Sequence, residues 1–208
     1  MLLSISVVGT ASAGTVWTDW TGLTAGAPGA VGTLNSVAVT YSGQVYSTTV
    51  INGAATYWSP NSSFIGGTVT ASPSTVGDII GLTGGTAGGT GTITFGQPIV
   101  NPVFAIWSLG APGTKASFTF SLNPTFEAGG PNLQYGGSPI SILGNVVSGN
   151  EGNGVVQFTG AYSTFSWTNT PEGWYGFTVG TAVSSVPEPT TMLLFGFGLI
   201  GLAGLRRK

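Results

Sequence analysis

Apolar and polar residues alternate along this chain with a period of two, in short runs broken by Gly, Pro, Asn and Ser. The clearest run is Ala116-Ser117-Phe118-Thr119-Phe120-Ser121-Leu122. Phe118, Phe120 and Leu122 point one way and Ser117, Thr119 and Ser121 the other, as a strand with one buried face requires. Thr92-Ile93-Thr94-Phe95 repeats the pattern over fewer residues. Val103-Phe104-Ala105-Ile106-Trp107 is apolar throughout and predicts a central strand covered on both faces. Between Val155 and Trp167 the phase changes, with Val156 and Phe158 on even positions and Phe165 and Trp167 on odd ones. Gly160 and Ala161 lie between them, which predicts a tight hairpin or a bulge. Trp174-Tyr175-Gly176-Phe177-Thr178-Val179 closes the set. The glycine-rich stretch Gly81 to Gly91 predicts a long loop. No window of helical length between Gly14 and Val186 keeps a 3.6-residue apolar period. The expected fold is all-β, a β-sandwich or jelly roll spanning residues 14–185.

The two ends break this pattern. Residues 1–13 carry an apolar run, Leu2 to Val8, that leads into Ala11-Ser12-Ala13. That small-x-small pattern at Ala11 and Ala13 is what signal peptidase accepts, so residues 1–13 are expected to be a signal peptide and Gly14 the mature start. No Lys or Arg precedes the apolar run, which points to a start codon upstream of Met1. The competing reading is a buried N-terminal strand.

At the other end, Val186-Pro187-Glu188-Pro189-Thr190-Thr191 is followed by Met192 to Leu205, wholly apolar or Gly, and then by Arg206-Arg207-Lys208. Prolines at 187 and 189 prevent a helix from running in from upstream. A helix over 190–205 would span about 24 Å at ~1.5 Å per residue. That is short of a ~30 Å hydrocarbon core. Arg206, Arg207 and Lys208 would close part of the gap by reaching to the headgroups. The positive-inside rule orients them to the cytoplasm, with the body beyond the inner membrane.

Charge and composition narrow the chemistry. The chain has 208 residues, four Lys+Arg, six Asp+Glu, no Cys and no His. Disulfides, thiolate or imidazole metal sites, a cysteine nucleophile and a Ser-His-Asp triad are therefore excluded. Between Gly14 and Val186 stand five acids and one base, Lys115, so no basic patch exists to hold nucleic acid.

Pro187-Glu188-Pro189, the short glycine-rich apolar segment and the basic end resemble the PEP-CTERM sorting signal of exported proteins in exopolysaccharide-producing Gram-negative bacteria. The resemblance covers residues 186–208. It implies transient anchoring in the inner membrane and cleavage near Pro187-Glu188-Pro189 by an exosortase, a membrane-embedded processing enzyme. An ordinary tail anchor is the alternative. Gly196-Phe197-Gly198-Leu199-Ile200-Gly201 matches the dinucleotide fingerprint but lacks the preceding strand and the later acid that the fingerprint needs. In the body, Gly96 to Gly110, Gly129-Gly130-Pro131-Asn132 and Gly149 to Gly154 are similar to stretches of otherwise uncharacterised exported proteins with the same tail. That similarity implies one shared domain and no activity.

Candidate chemistry in the body is sparse. Glu151 and Glu172 are the acids best placed for a glycosidic pair, Glu172 just before Trp174 and Tyr175, where a sugar ring could stack. Their competing reading is two exposed loop carboxylates. Asn150, Glu151 and Asn153 offer oxygen ligands in a glycine-rich loop and raise a weak case for calcium; no other cofactor or metal is expected. The aromatics are the most suggestive material. Tyr57-Trp58 and Trp174-Tyr175 each place adjacent rings on opposite strand faces, so one ring of each pair is available to a sugar face. Thr90, Thr92 and Thr94 form a short threonine ladder that invites an ice-binding reading, without the regular repeats such a surface needs. The function expected is a non-catalytic cell-surface or matrix protein that binds polysaccharide or self-associates. A carbohydrate-active enzyme, or a purely structural surface protein, is the alternative.

Overall fold

The computed structural model describes residues 14–182, apart from 27, 54 and 86–88. The expected signal peptide, sorting motif, basic end and the helix 190–205 lie outside these residues. Among the described residues no helix is long and apolar enough to cross a membrane.

Fifteen strands are described. The first four are β1 (Thr15–Trp17), β2 (Asp19–Leu23), β3 (Gly29–Leu34) and β4 (Val37–Ser42). After a long strandless segment come β5 (Ile80–Leu82), β6 (Thr90–Val100), β7 (Pro102–Leu109), β8 (Ala116–Phe120) and β9 (Thr125–Gly129). The last six are β10 (Ser138–Pro139), β11 (Ser141–Leu143), β12 (Val146–Gly149), β13 (Gly152–Gln157), β14 (Ala161–Asn169) and β15 (Tyr175–Ala182). They form two sheets. The first runs β1-β15-β7-β13-β10, with β5 also on β15 and β9 also on β13. The second runs β11-β12-β8-β14-β6-β4-β3-β2. Pairing is antiparallel except for the two-residue β10–β13 contact.

Local sequence explains the simplest link. Asn35 and Ser36 both adopt positive φ, 49° and 65°, the turn geometry that lets β4 fold straight back on β3. Burial then organises the layers. In β8 the expected alternation places Phe118 and Phe120 inward, and in β6 it places Ile93 and Phe95 inward. They meet Phe104 and Phe177 from the first sheet. Phe104 stacks on Phe177 at 4.9 Å and meets Phe120 at 5.1 Å and Trp167 at 5.0 Å.

Strand β7 lies between β13 and β15, and every residue of it is buried, as its unbroken apolar run predicts. Phe104 and Ile106 face the inter-sheet core. Val103, Ala105 and Trp107 face a second apolar cluster with Trp17, Trp58, Phe64 and Ile79. The first sheet is thus covered on its outer side too, by the strandless segment between β4 and β5. Asp78 pins that segment. Its carboxylate accepts from Trp20 N at 2.7 Å and Gly53 N at 2.6 Å, and its backbone carbonyl accepts from Trp58 Nε1 at 2.9 Å.

Two local expectations are corrected. The Val155–Trp167 phase change is no hairpin: β13 belongs to the first sheet and β14 to the second, and the chain crosses between layers through Phe158 to Gly160. The bulge alternative survives only within β14, whose register against β6 shifts between Tyr162 and Thr164. Phe158, Phe165 and Trp167 all remain in the core because the crossing swaps which parity faces inward. The Gly81–Gly91 loop is also shorter than expected, since Gly81 and Leu82 belong to β5 and Thr90 and Gly91 to β6.

Candidate functional site

Each aromatic pair splits into one buried and one half-buried ring, but not by the strand alternation expected: Tyr57 and Trp58 lie in the strandless segment, and Trp174 stands just before β15. Trp58 and Tyr175 are fully buried, whereas Tyr57 and Trp174 are half-buried at the surface. Tyr175 therefore leaves the set of candidate ligand-binding residues. Its ring packs edge-on against Phe118 at 5.4 Å and its hydroxyl donates to the Thr170 carbonyl at 2.9 Å. Burial pushes the phenol's pKa up, well beyond its ordinary value.

Tyr57 and Trp174, far apart in sequence, meet at 5.3 Å. Both rest on Trp107, at 5.0 Å and 4.6 Å. A fourth ring, Tyr135, lies 5.5 Å from Trp107 and is 50% exposed. Beside this platform opens a cavity of about 320 Å³ lined by Thr56, Tyr57, Ser59, Leu133 and Gln134. Its walls combine an aromatic face, an amide and a hydroxyl.

Asn132 builds the wall that carries Leu133, Gln134 and Tyr135. Its side-chain oxygen accepts from Gln134 N at 2.9 Å and Tyr135 N at 2.6 Å, the local bonding that tightens an Asx turn. Its Nδ2 donates to Asn153 Oδ1 at 3.0 Å, and the same oxygen accepts from Ser108 N at 2.8 Å. Asn153 Nδ2 donates to the Glu151 carbonyl at 2.8 Å and the Gly136 carbonyl at 3.3 Å. Both asparagines are buried. With its amide committed on both sides, Asn153 has no capacity left for the calcium reading, which falls back to Asn150 and Glu151. Among the described residues no group of three acidic side chains could hold a metal.

The structure brings Glu151 and Glu172 together at the end of β7. Ser108 and Glu151 both adopt positive φ, 58° and 52°, and the Ser108 hydroxyl donates to the Glu151 carboxylate. The Glu172 carboxylate accepts from Gly110 N at 2.7 Å and from the Trp174 N–H. Burial pushes the Glu172 carboxyl up to about 7, against the pull of the Gly110 N–H; the Glu151 charge adds to the push, and the Trp174 N–H to the pull. Both carboxylates thus brace turns under the platform, and Glu172 fixes the backbone of Trp174 itself. The other acids sit elsewhere. Asp78 holds the covering segment, and Glu127 accepts from Thr68 N at 2.6 Å and its hydroxyl at 2.9 Å.

From sequence Trp107 reads as core, and nothing there shows that Asn132 and Asn153 pair or that Tyr135 joins the platform. Trp107 is indeed buried, yet it is the ring on which the exposed ones rest. The local signal for the wall was Asn132 with Gln134 and Tyr135 two and three positions on, an Asx-turn spacing.

Searches of curated proteins and of solved structures found no match to the chain, so the body's likeness to other exported proteins gains no support from them. The tail is different. The PEP-CTERM motif implies export, anchored transit through a membrane and processing by an exosortase. Residues 185–208 match the PEP-CTERM protein-sorting motif, and the chain is a carrier of that sorting signal.

Proposed function

We propose that the exported body is a non-catalytic component of the cell surface or extracellular matrix that holds neutral polysaccharide in the aromatic cleft. The observation that carries this reading is the Tyr57–Trp107–Trp174–Tyr135 platform beside the cavity. A sugar ring presents C–H faces and a rim of hydroxyls. The platform offers large apolar faces at little cost in side-chain entropy, and Gln134, Thr56 and Ser59 supply polar partners. The test is retention of the full chain, in detergent, on immobilised hydroxyethyl cellulose, dextran and galactomannan. Retention on at least one is expected, weakened about tenfold by Trp174→Ala and likewise by Tyr57→Ala, or roughly 1.4 kcal/mol each. Retention on none of the three overturns the reading.

A carbohydrate-active enzyme is the second reading, favoured by one observation: Glu172 titrates near neutrality beside a second carboxylate. Release of reducing ends from the retained polymer, abolished by Glu172→Gln, would replace the first reading with the second.

A further inference from the structure

Strand register turns scattered hydroxyl residues into a surface. Thr40, Thr94 and Thr164 stand side by side across β4, β6 and β14. Two residues along, Ser42, Thr92 and Ser166 form the next row on the same strands. Thr90, Thr168 and Thr119 extend the array over β6, β14 and β8. All lie on the outer side of the second sheet, since their neighbours Tyr41, Ile93, Phe165 and Trp167 fill the core. Rows repeat about every 6.6–6.8 Å along a strand, with strands about 4.8 Å apart. From β4 to β12 these strands contain no charged residue. At the far end lies a cavity of about 340 Å³. Ile142, Leu143 and Val146 form an apolar floor, Ser117 and Ser148 add hydroxyls, and Lys115 is the only charge.

We infer that this face is a second polysaccharide-binding surface, back to back with the aromatic cleft, so that one molecule bridges two glycan chains. The inference rests on the glycan-binding reading above. A neutral polyhydroxyl chain suits the face because no ion has to be stripped of water, and hydroxyl exchanges for hydroxyl. The apolar floor of the cavity takes the C–H side of a terminal sugar. A second copy of this chain suits it less well. A twisted sheet face meets a rigid copy of itself over only a few rows, whereas a flexible glycan chain follows the twist. The two surfaces lie on opposite sides of the core, one outside each sheet, so they cannot serve a single short glycan.

The test uses the full chain in detergent, shown by sedimentation to be one chain per particle, and beads coated with whichever of the three polysaccharides retains it best. Wild type is expected to clump the beads. Thr94→Glu/Thr164→Glu is expected to reduce clumping at least tenfold while keeping cleft retention and the wild-type circular dichroism spectrum. Tyr57→Ala/Trp174→Ala is expected to lose clumping but keep residual retention, which the two threonine changes then remove. Unchanged clumping by the folded threonine variant overturns the inference and leaves the cleft reading standing. Full retention by the cleft variant, with none by the threonine variant, overturns the cleft reading and the bridge together. Clumping traced to dimers by sedimentation assigns the face to a second copy and overturns the inference, as does thermal hysteresis of ice growth without glycan retention, which assigns it to ordered water.

Discussion

Glu172 shows how one half-buried carboxyl couples stability to pH. Its folded form holds a proton up to about pH 7, whereas in the unfolded chain it ionises near 4.5. Between those values the folded state binds more protons, so this group's contribution to stability is full below pH 4.5 and is lost as pH rises through 7. Thermal melts of the wild type from pH 5 to 8 should fall relative to Glu172→Gln, which keeps an acceptor for the Gly110 N–H but cannot ionise. Parallel melting curves for the two proteins would show that Glu172 ionises as easily folded as unfolded. Asp78 is pushed up by burial as well, and it is common to both proteins, so the difference isolates Glu172. Residue types told only part of this in advance. Glu172 next to Trp174-Tyr175 was visible as a candidate, and the adjacency of the two rings told that only one would face out, although Trp174 stands just outside β15. Which ring that is depends on register against Leu82 and Trp107, set by distant residues.

At the scale of strands, what the sequence reveals is what a strand does by itself. The alternation in β8 and the double-sided burial of β7 were legible because each follows from local periodicity. The β13–β14 crossing was not, because a phase change reads alike whether the chain turns back on itself or passes to the other sheet. The segment from Gln44 to Ile79 was illegible for a related reason: it covers the first sheet through Trp58, Phe64 and Val69 without any period. Close approach between strands is equally invisible. Gly91 in β6 sits directly opposite Trp167 in β14, and a methyl group placed on Gly91 would come within 2.4 Å of the indole. Trp167 has no room to retreat, since Tyr41 stacks on it at 5.8 Å and Phe104 meets it at 5.0 Å. Gly91→Ala should therefore cost about 1–3 kcal/mol in denaturant unfolding. Thr94→Ala, three residues away on the solvent face, should stay within about 0.5 kcal/mol. Equal effects would mean that the indole moves aside freely.

For the whole molecule, the distribution of charge separates delivery from function. Three of the four basic residues are Arg206, Arg207 and Lys208, while the body carries five acids and Lys115. A sparsely charged, net-acidic body with hydroxyl-rich outer strands has nothing to hold it electrostatically at an anionic membrane, so its attachment depends on the tail. An apolar segment of the length of 190–205 is only just adequate as an anchor, and its basic end resists being drawn through the bilayer. Processing at the sorting motif should then convert an anchored protein into a released one. In a host that has an exosortase, mass spectrometry of the released protein should find a C-terminus near Pro187-Glu188-Pro189 and no peptide containing Arg206. Replacing all three motif residues by Ala should leave the protein with the membrane fraction, its Arg206-Arg207-Lys208 end intact. Release of the triple variant at the wild-type level would show that the body leaves the membrane without cleavage at this motif.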